Sequence, residues 1–132
     1  MSFNEETISQ VLAMKTWAVV GLGNNPERAA YGVAKLLQDN GHKIVPVYPR
    51  AEEVHGEMGY KTLSEIPFPI DVVDCFVNSK LVGKVVDEAI AIGAKAVWLQ
   101  LDVIDQEAVG RAEAAGLLAI MDRCPAIEYR KR

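Results

Sequence analysis

The residues best suited to chemistry stand in "VVGLGNNPERAAYG", residues 19–32. Gly21 and Gly23 fill the first two places of a G-x-G-x-x-G spacing. The first glycine of that spacing permits a tight turn, and the second lets the backbone approach a pyrophosphate. Pro26 stands at the third place, where it suits the first turn of a helix with Asn24 or Asn25 as the cap. Free N–H groups at such a helix start favour an anion. No Gly-Lys-Ser/Thr follows, which argues against a Walker-type loop. The spacing points to phosphate held by backbone; the plainer alternative is that the glycines only turn the chain.

The next apolar run ends as "VPVYPR" and gives a second clue. An NAD site places an acidic residue there to take the ribose hydroxyls. This chain has Arg50 instead. A cation at that point favours a ribose carrying a phosphate, as in NADP or the 3′-phosphate of coenzyme A. Arg28, seven residues beyond Gly21, is a second phosphate partner. The planar guanidinium fork matches phosphate oxygens. The bland reading of Arg50 is a solvated loop residue.

Other reactive types carry less. His42, in the link after Gly41, reads as a surface turn residue, and His55, in "AEEVHGEMG", as structural or solvated. Neither has a Cys or His at metal-ligand spacing. Cys124, in "MDRCPAIEY", shares its segment with Asp122 and Arg123. A nearby cation lowers a thiol pKa and would open exchange with a disulfide of coenzyme A. The simpler reading is a packed small side chain before Pro125. Cys75, Trp17 and Trp98 belong to apolar runs and read as core, while Asp74 inside such a run needs a partner. Asp71 starts that run. No nucleophile–base pair, metal set or carboxylate pair emerges, so the residues support binding rather than catalysis.

These residues must be positioned by alternating elements. Apolar runs at Trp17 to Val20, Ile44 to Tyr48, Val72 to Val77, Ala96 to Leu99 and Leu117 to Met121 are nearly continuous, as in strands buried on both faces. Gly41, Gly93 and Gly116 each follow a helical pattern, where a left-handed residue closes a helix. Val82, Val85, Val86 and Ala89 share one helix face, with Asn78 or Ser79 as cap; Asp105 can cap the next helix, with Ile104 and Val109 as a staple. An opening helix from about Asn4 to Met14 would align Ile8, Val11 and Leu12. The irregular stretch from Arg50 to Pro69 has room for a short edge strand near Tyr60 to Thr62 and a helical turn at Ser64 to Ile66. The pattern predicts an α/β fold over residues 1–132: a single Rossmann-like doubly wound parallel sheet with helices on both faces.

The bulk numbers agree with one small domain. At 132 residues the chain has length for one core. With 50% apolar and 24% charged residues it reads as globular. Its net charge of −4 argues against a general nucleic-acid surface. The apolar runs are too short for a membrane span, and "MSFNEETISQ" is wrong for a secretory or organellar signal. Two cysteines without ligand spacing fit a reducing compartment, so a cytoplasmic location is expected.

Together, "VVGLGNNPER…VAKLLQDNGHKIVPVYPR", "IDVVDCFVNSKLV", "IGAKAVWLQLDV" and "AGLLAIMDRCPAIEYRK" resemble the small bacterial CoA-binding proteins. That family is similar to the CoA-binding domain of the succinyl-CoA synthetase alpha subunit. The resemblance runs from about Lys15 to Arg130. It implies coenzyme A or an acyl-CoA as ligand, held by its nucleotide end. By position, Gly21, Gly23, Asn24, Asn25, Pro26 and Arg28 would meet the diphosphate, and Pro49 and Arg50 would flank the 3′-phosphate. Phe76, Val77, Asn78 and Ser79 would line the crevice near the adenine or pantetheine, with Gln100 as a further candidate. The chain departs from the family pattern at Val77 and Asn78, where relatives often carry Arg-Arg, and at Asp102, where many have Gly. Both changes make the expected site less positive. The alternatives are an NADP-binding oxidoreductase domain and an interaction protein with a degenerate nucleotide site. A homodimer or another protein partner fits any of the three.

Overall fold

The computed structural model describes residues 5–132. Five parallel strands form one sheet: β1 (Thr16–Val20), β2 (Lys43–Val47), β3 (Val72–Cys75), β4 (Ala96–Leu99) and β5 (Leu118–Ile120), in the order β2-β1-β3-β4-β5. The helices are α1 (Glu5–Leu12), α2 (Ala29–Asp39), α3 (Ser79–Ala91), α4 (Gln106–Ala114) and α5 (Pro125–Arg130). The expected Asn4 start of α1 lies outside the described residues. This is the Rossmann-like α/β architecture that the pattern predicts.

The continuous apolar runs divide between two cores. Trp17, Val19, Ile44, Val72, Ala96, Trp98 and Ile120 meet α1, α2 and α5 on one face. Ala18, Val45, Val73, Cys75, Val97, Leu99 and Ala119 meet α3 and α4 on the other. Successive strand residues point to opposite faces, so a strand covered on both sides has no polar place to spare. The helices obey their own period: Ile8, Val11 and Leu12 are buried on α1, and Val82, Val85, Val86 and Ala89 on α3. Asn78 caps α3 by accepting from the Lys80 N–H, and Asp105 caps α4 by accepting from Ala108. Its proposed staple is not closed on the Ile104 side, which stays 47% exposed.

Pro46 sits in β2, which the strand order leaves at the sheet edge, where a missing donor is tolerated. Tyr60 covers that edge through hydrogen bonds from its N–H to the Pro46 carbonyl and from the Tyr48 N–H to its own carbonyl. The expected edge strand at Tyr60 to Thr62 is therefore one isolated bridge, Val47 to Tyr60. The helical turn falls at Leu63–Glu65.

His42 corrects the sequence reading. It is buried, and not a surface turn residue. Its Nδ1 lies 2.7 Å from the Met14 carbonyl, and its Nε2 meets the Tyr129 hydroxyl. A carbonyl only accepts, so Nδ1 carries the proton and Nε2 accepts from tyrosine. The ring thereby ties the start of β2 to the end of α5 and to the chain after α1. His55 is structural: its Nε2 donates to the Tyr31 carbonyl at 2.8 Å, beside the Tyr31 ring.

Candidate functional site

In a 2-1-3-4-5 sheet the winding reverses between β1 and β3, and ligands bind beyond the carboxyl ends of those strands. Gly21 leaves β1 at this point with φ +99°, and a Cβ on it would overlap the Phe76 carbonyl oxygen just beyond β3. Only glycine satisfies both the backbone angle and the close approach. The loop then runs through Gly23, Asn24 and Asn25 before α2 begins.

The start of α2 differs from the sequence reading. The helix begins at Ala29, its N-cap is Arg28, and no side chain caps it. Asn25 instead closes its own turn: its Oδ1 accepts from the Glu27 N–H at 3.0 Å, and its carbonyl accepts from the Arg28 N–H at 3.1 Å. Pro26 is inside that turn and not in the first turn of the helix. Asparagine bonding its own backbone two residues on competes with its use as a helix cap.

Two adjoining cavities open here. The first is polar, about 270 Å³, and is lined by Gly21, Gly23, Asn24, Asn25, Arg28 and Arg50, with Tyr48 and Glu52. Arg50 reaches it from the turn after β2, where the Ala51 N–H bonds the Tyr48 carbonyl. Pro49 belongs to that turn without lining the cavity. Among the described residues neither Arg28 nor Arg50 makes an ion pair. Two uncommitted guanidinium groups and a glycine-opened backbone make a cavity suited to anionic oxygens.

The second cavity, about 310 Å³, is mostly apolar. It shares Gly21 and Arg28 with the first, and continues past Phe76, Val77 and Val33 to Gln100 and Cys124. Asn78 and Ser79 line neither cavity. Asn78 is the α3 cap, and the Ser79 hydroxyl is held between the Asp102 carbonyl and the Ile104 N–H. Asp102 also lines neither cavity; it holds φ +66°, a conformation that favours glycine.

Gln100 is the partner that Asp74 requires. Gln100 Nε2 donates to Asp74 Oδ1 at 2.5 Å, while Asp74 Oδ2 has no hydrogen-bond partner. Complete burial, opposed by the Gln100 hydrogen bond, pushes the Asp74 carboxyl up to about 7. Cys75 is core, and burial pushes its thiol up, beyond any nucleophilic role. Cys124 is half-buried at the N-cap of α5, on the cavity wall.

The site thus gathers Gly21, Gly23, Asn24, Asn25, Arg28 and Arg50 around one cavity, and Phe76, Val77 and Gln100 around the next. The sequence reading missed Tyr48 and Glu52. Tyr48 stands in the quoted "VPVYPR" run and was legible as a neighbour of Arg50. Glu52 was not, because its contact is with a loop 28 residues earlier in the chain.

The chain matches the family described as CoA binding domain over residues 15–130. It is 36% identical over 110 residues to the uncharacterized protein YneT of Bacillus subtilis, a match covering 83% of this chain and 82% of that one. It is 38% identical over 81 residues to the alpha subunit of the ADP-forming acetate–CoA ligase II of Pyrococcus furiosus, covering 61% of this chain and 18% of the ligase subunit. A solved structure of a hypothetical protein from Pyrococcus horikoshii superimposes with a TM-score of 0.93 at 39% identity, covering 98% of this chain and 92% of that one.

Proposed function

This chain belongs to the CoA binding domain family, and from that premise we propose that it binds coenzyme A or an acyl-CoA across the two adjoining cavities. The observation that carries the reading is the meeting of Arg28 and Arg50, from separate elements, over the glycine loop in one polar cavity. In this reading the diphosphate lies on the loop from Gly21 to Arg28, with Asn24, Asn25 and Pro26 shaping its turn. The 3′-phosphate lies at Arg50, in the turn begun by Pro49. The rest of the ligand passes Gly21 and Arg28 into the apolar cavity, against Phe76, Val77 and Gln100. Asn78 and Ser79 act one step back, by fixing the start of α3 beside Val77. The departures from Arg-Arg and from Gly leave the polar cavity its two arginines, since Val77 lines only the apolar cavity and Asn78 and Asp102 line neither.

The acetate–CoA ligase subunit is a much longer protein, of which the match covers 18%, and it supports only the ligand class here. The chain's own role is to hold or present the ligand, and a nucleotide-dependent oxidoreductase is the reading it competes with. The experiment that tests the role of Arg50 is substitution to glutamate. Arg50→Glu weakens binding of CoA more than binding of dephospho-CoA, by roughly tenfold or more for a charge-assisted contact turned repulsive. Equal losses for both ligands would remove the 3′-phosphate from Arg50.

A further inference from the structure

We propose that Glu52 is an internal stand-in for the ligand's phosphate, seated on the glycine loop in the free protein and displaced when the ligand binds. Its Oε1 accepts the Asn24 N–H at 3.1 Å. That donor belongs to the first residue after Gly23, on the loop whose backbone faces the polar cavity. The carboxylate thus occupies a position made for an anion, with an acceptor from the protein itself.

Three features show that the contact is built in. A Cβ on Gly23 would lie 2.9 Å from Glu52 Oε1, so glycine at this place leaves room for the carboxylate as well as for a ligand. The Glu52 backbone is pressed against Gly59, where even a methyl group would overlap the Glu52 carbonyl. Its departure is therefore a side-chain rotation and not a movement of the segment. Finally, Glu52 lines the same cavity as Arg28 and Arg50 but makes no ion pair with either among the described residues. It takes the loop N–H and leaves both cations to the ligand.

One N–H has a single proton to donate, and two anions about 4 Å apart repel even near the surface. A phosphate and Glu52 therefore exclude each other from Asn24. The latch raises the threshold for small anions, which gain only the loop. A ligand that also reaches Arg50 and the apolar cavity has further contacts with which to displace it. Glu52 so acts as a specificity-determining residue of the proposed site, and this inference rests on reading the polar cavity as a phosphate site.

Inorganic pyrophosphate probes the loop alone, with the Asn24 amide followed by ¹⁵N NMR in the wild type and in Glu52→Gln. The variant keeps an acceptor at Oε1 but loses the charge, and is expected to bind pyrophosphate roughly three- to tenfold tighter, the weight of a charge-assisted hydrogen bond made neutral and of the repulsion removed. Glu52→Ala shifts in the same direction and guards against a Gln variant that misfolds. Coenzyme A is titrated in the same series. Tighter pyrophosphate binding with no CoA binding by any protein would keep the latch and overturn the ligand assignment. Unchanged or weaker pyrophosphate binding in both variants would overturn the latch, whatever CoA does. So would the absence of any pyrophosphate response at Asn24 in all three proteins.

Discussion

Asp74 and His42 are buried ionisable groups whose effects on stability run in opposite directions with pH. The Asp74 carboxyl is raised to about 7 by burial, so the unfolded chain ionises first as pH rises. The native state then holds the extra proton, and stability falls between about pH 4 and pH 7. Asp74→Asn removes this slope. It should stabilise the protein at pH 8 by about 1–3 kcal/mol, the cost of a buried unsatisfied group, with the gain vanishing near pH 4. Urea denaturation at the two pH values checks it; an equal gain at both would contradict the assignment. His42 is lowered by burial, partly offset by the Met14 hydrogen bond. As pH falls through about 6.5 the unfolded chain takes a proton that the native ring resists, so stability falls toward acid. Tyr129→Phe leaves Nε2 without its donor and should cost about 1 kcal/mol in the same assay. A loss below a few tenths would remove the hydroxyl from this role.

At the scale of elements, the two loop glycines serve different ends. Gly21→Ala forces a side chain into φ +99° and onto the Phe76 carbonyl, so it strains the β1–β3 contact itself. Its cost should exceed about 2 kcal/mol, measured by thermal or denaturant unfolding. The atoms nearest to a methyl group at Gly23→Ala are those of the Glu52 carboxylate and the Tyr48 ring, all in side chains. The fold should survive within about 1 kcal/mol while the polar cavity changes, and a destabilisation as large as that of Gly21→Ala would contradict this division. The same contrast explains what was legible in the sequence. Strands buried on both faces leave continuous apolar runs, and helices leave stripes such as Val82, Val85, Val86 and Ala89, so the elements could be read locally. The Gly21 turn and Arg50 were legible because each follows the end of such a run. The start of α2 was misread because Asn25 had two local partners open to it, and its own turn won. His42 looked exposed because its glycine neighbour marks a turn, yet Tyr129 covers it from 87 residues away. Glu52, in an acidic stretch, carries no local sign of the loop N–H that it accepts.

Across the whole molecule, the parallel sheet brings the ends of β1, β2, β3 and β4 to one side, where the polar and apolar cavities meet at Gly21 and Arg28. A ligand with anionic groups at one end and a less polar arm at the other fits that division better than a uniformly charged one. Binding of such a ligand to the native state alone would raise the melting temperature by mass action. The most direct test is calorimetric titration of the protein with CoA, dephospho-CoA and NADPH in parallel. CoA is expected to bind, dephospho-CoA to bind more weakly and NADPH to give no heat. Equal affinity for CoA and dephospho-CoA, or binding of NADPH in place of CoA, would overturn the assignment of CoA to these cavities.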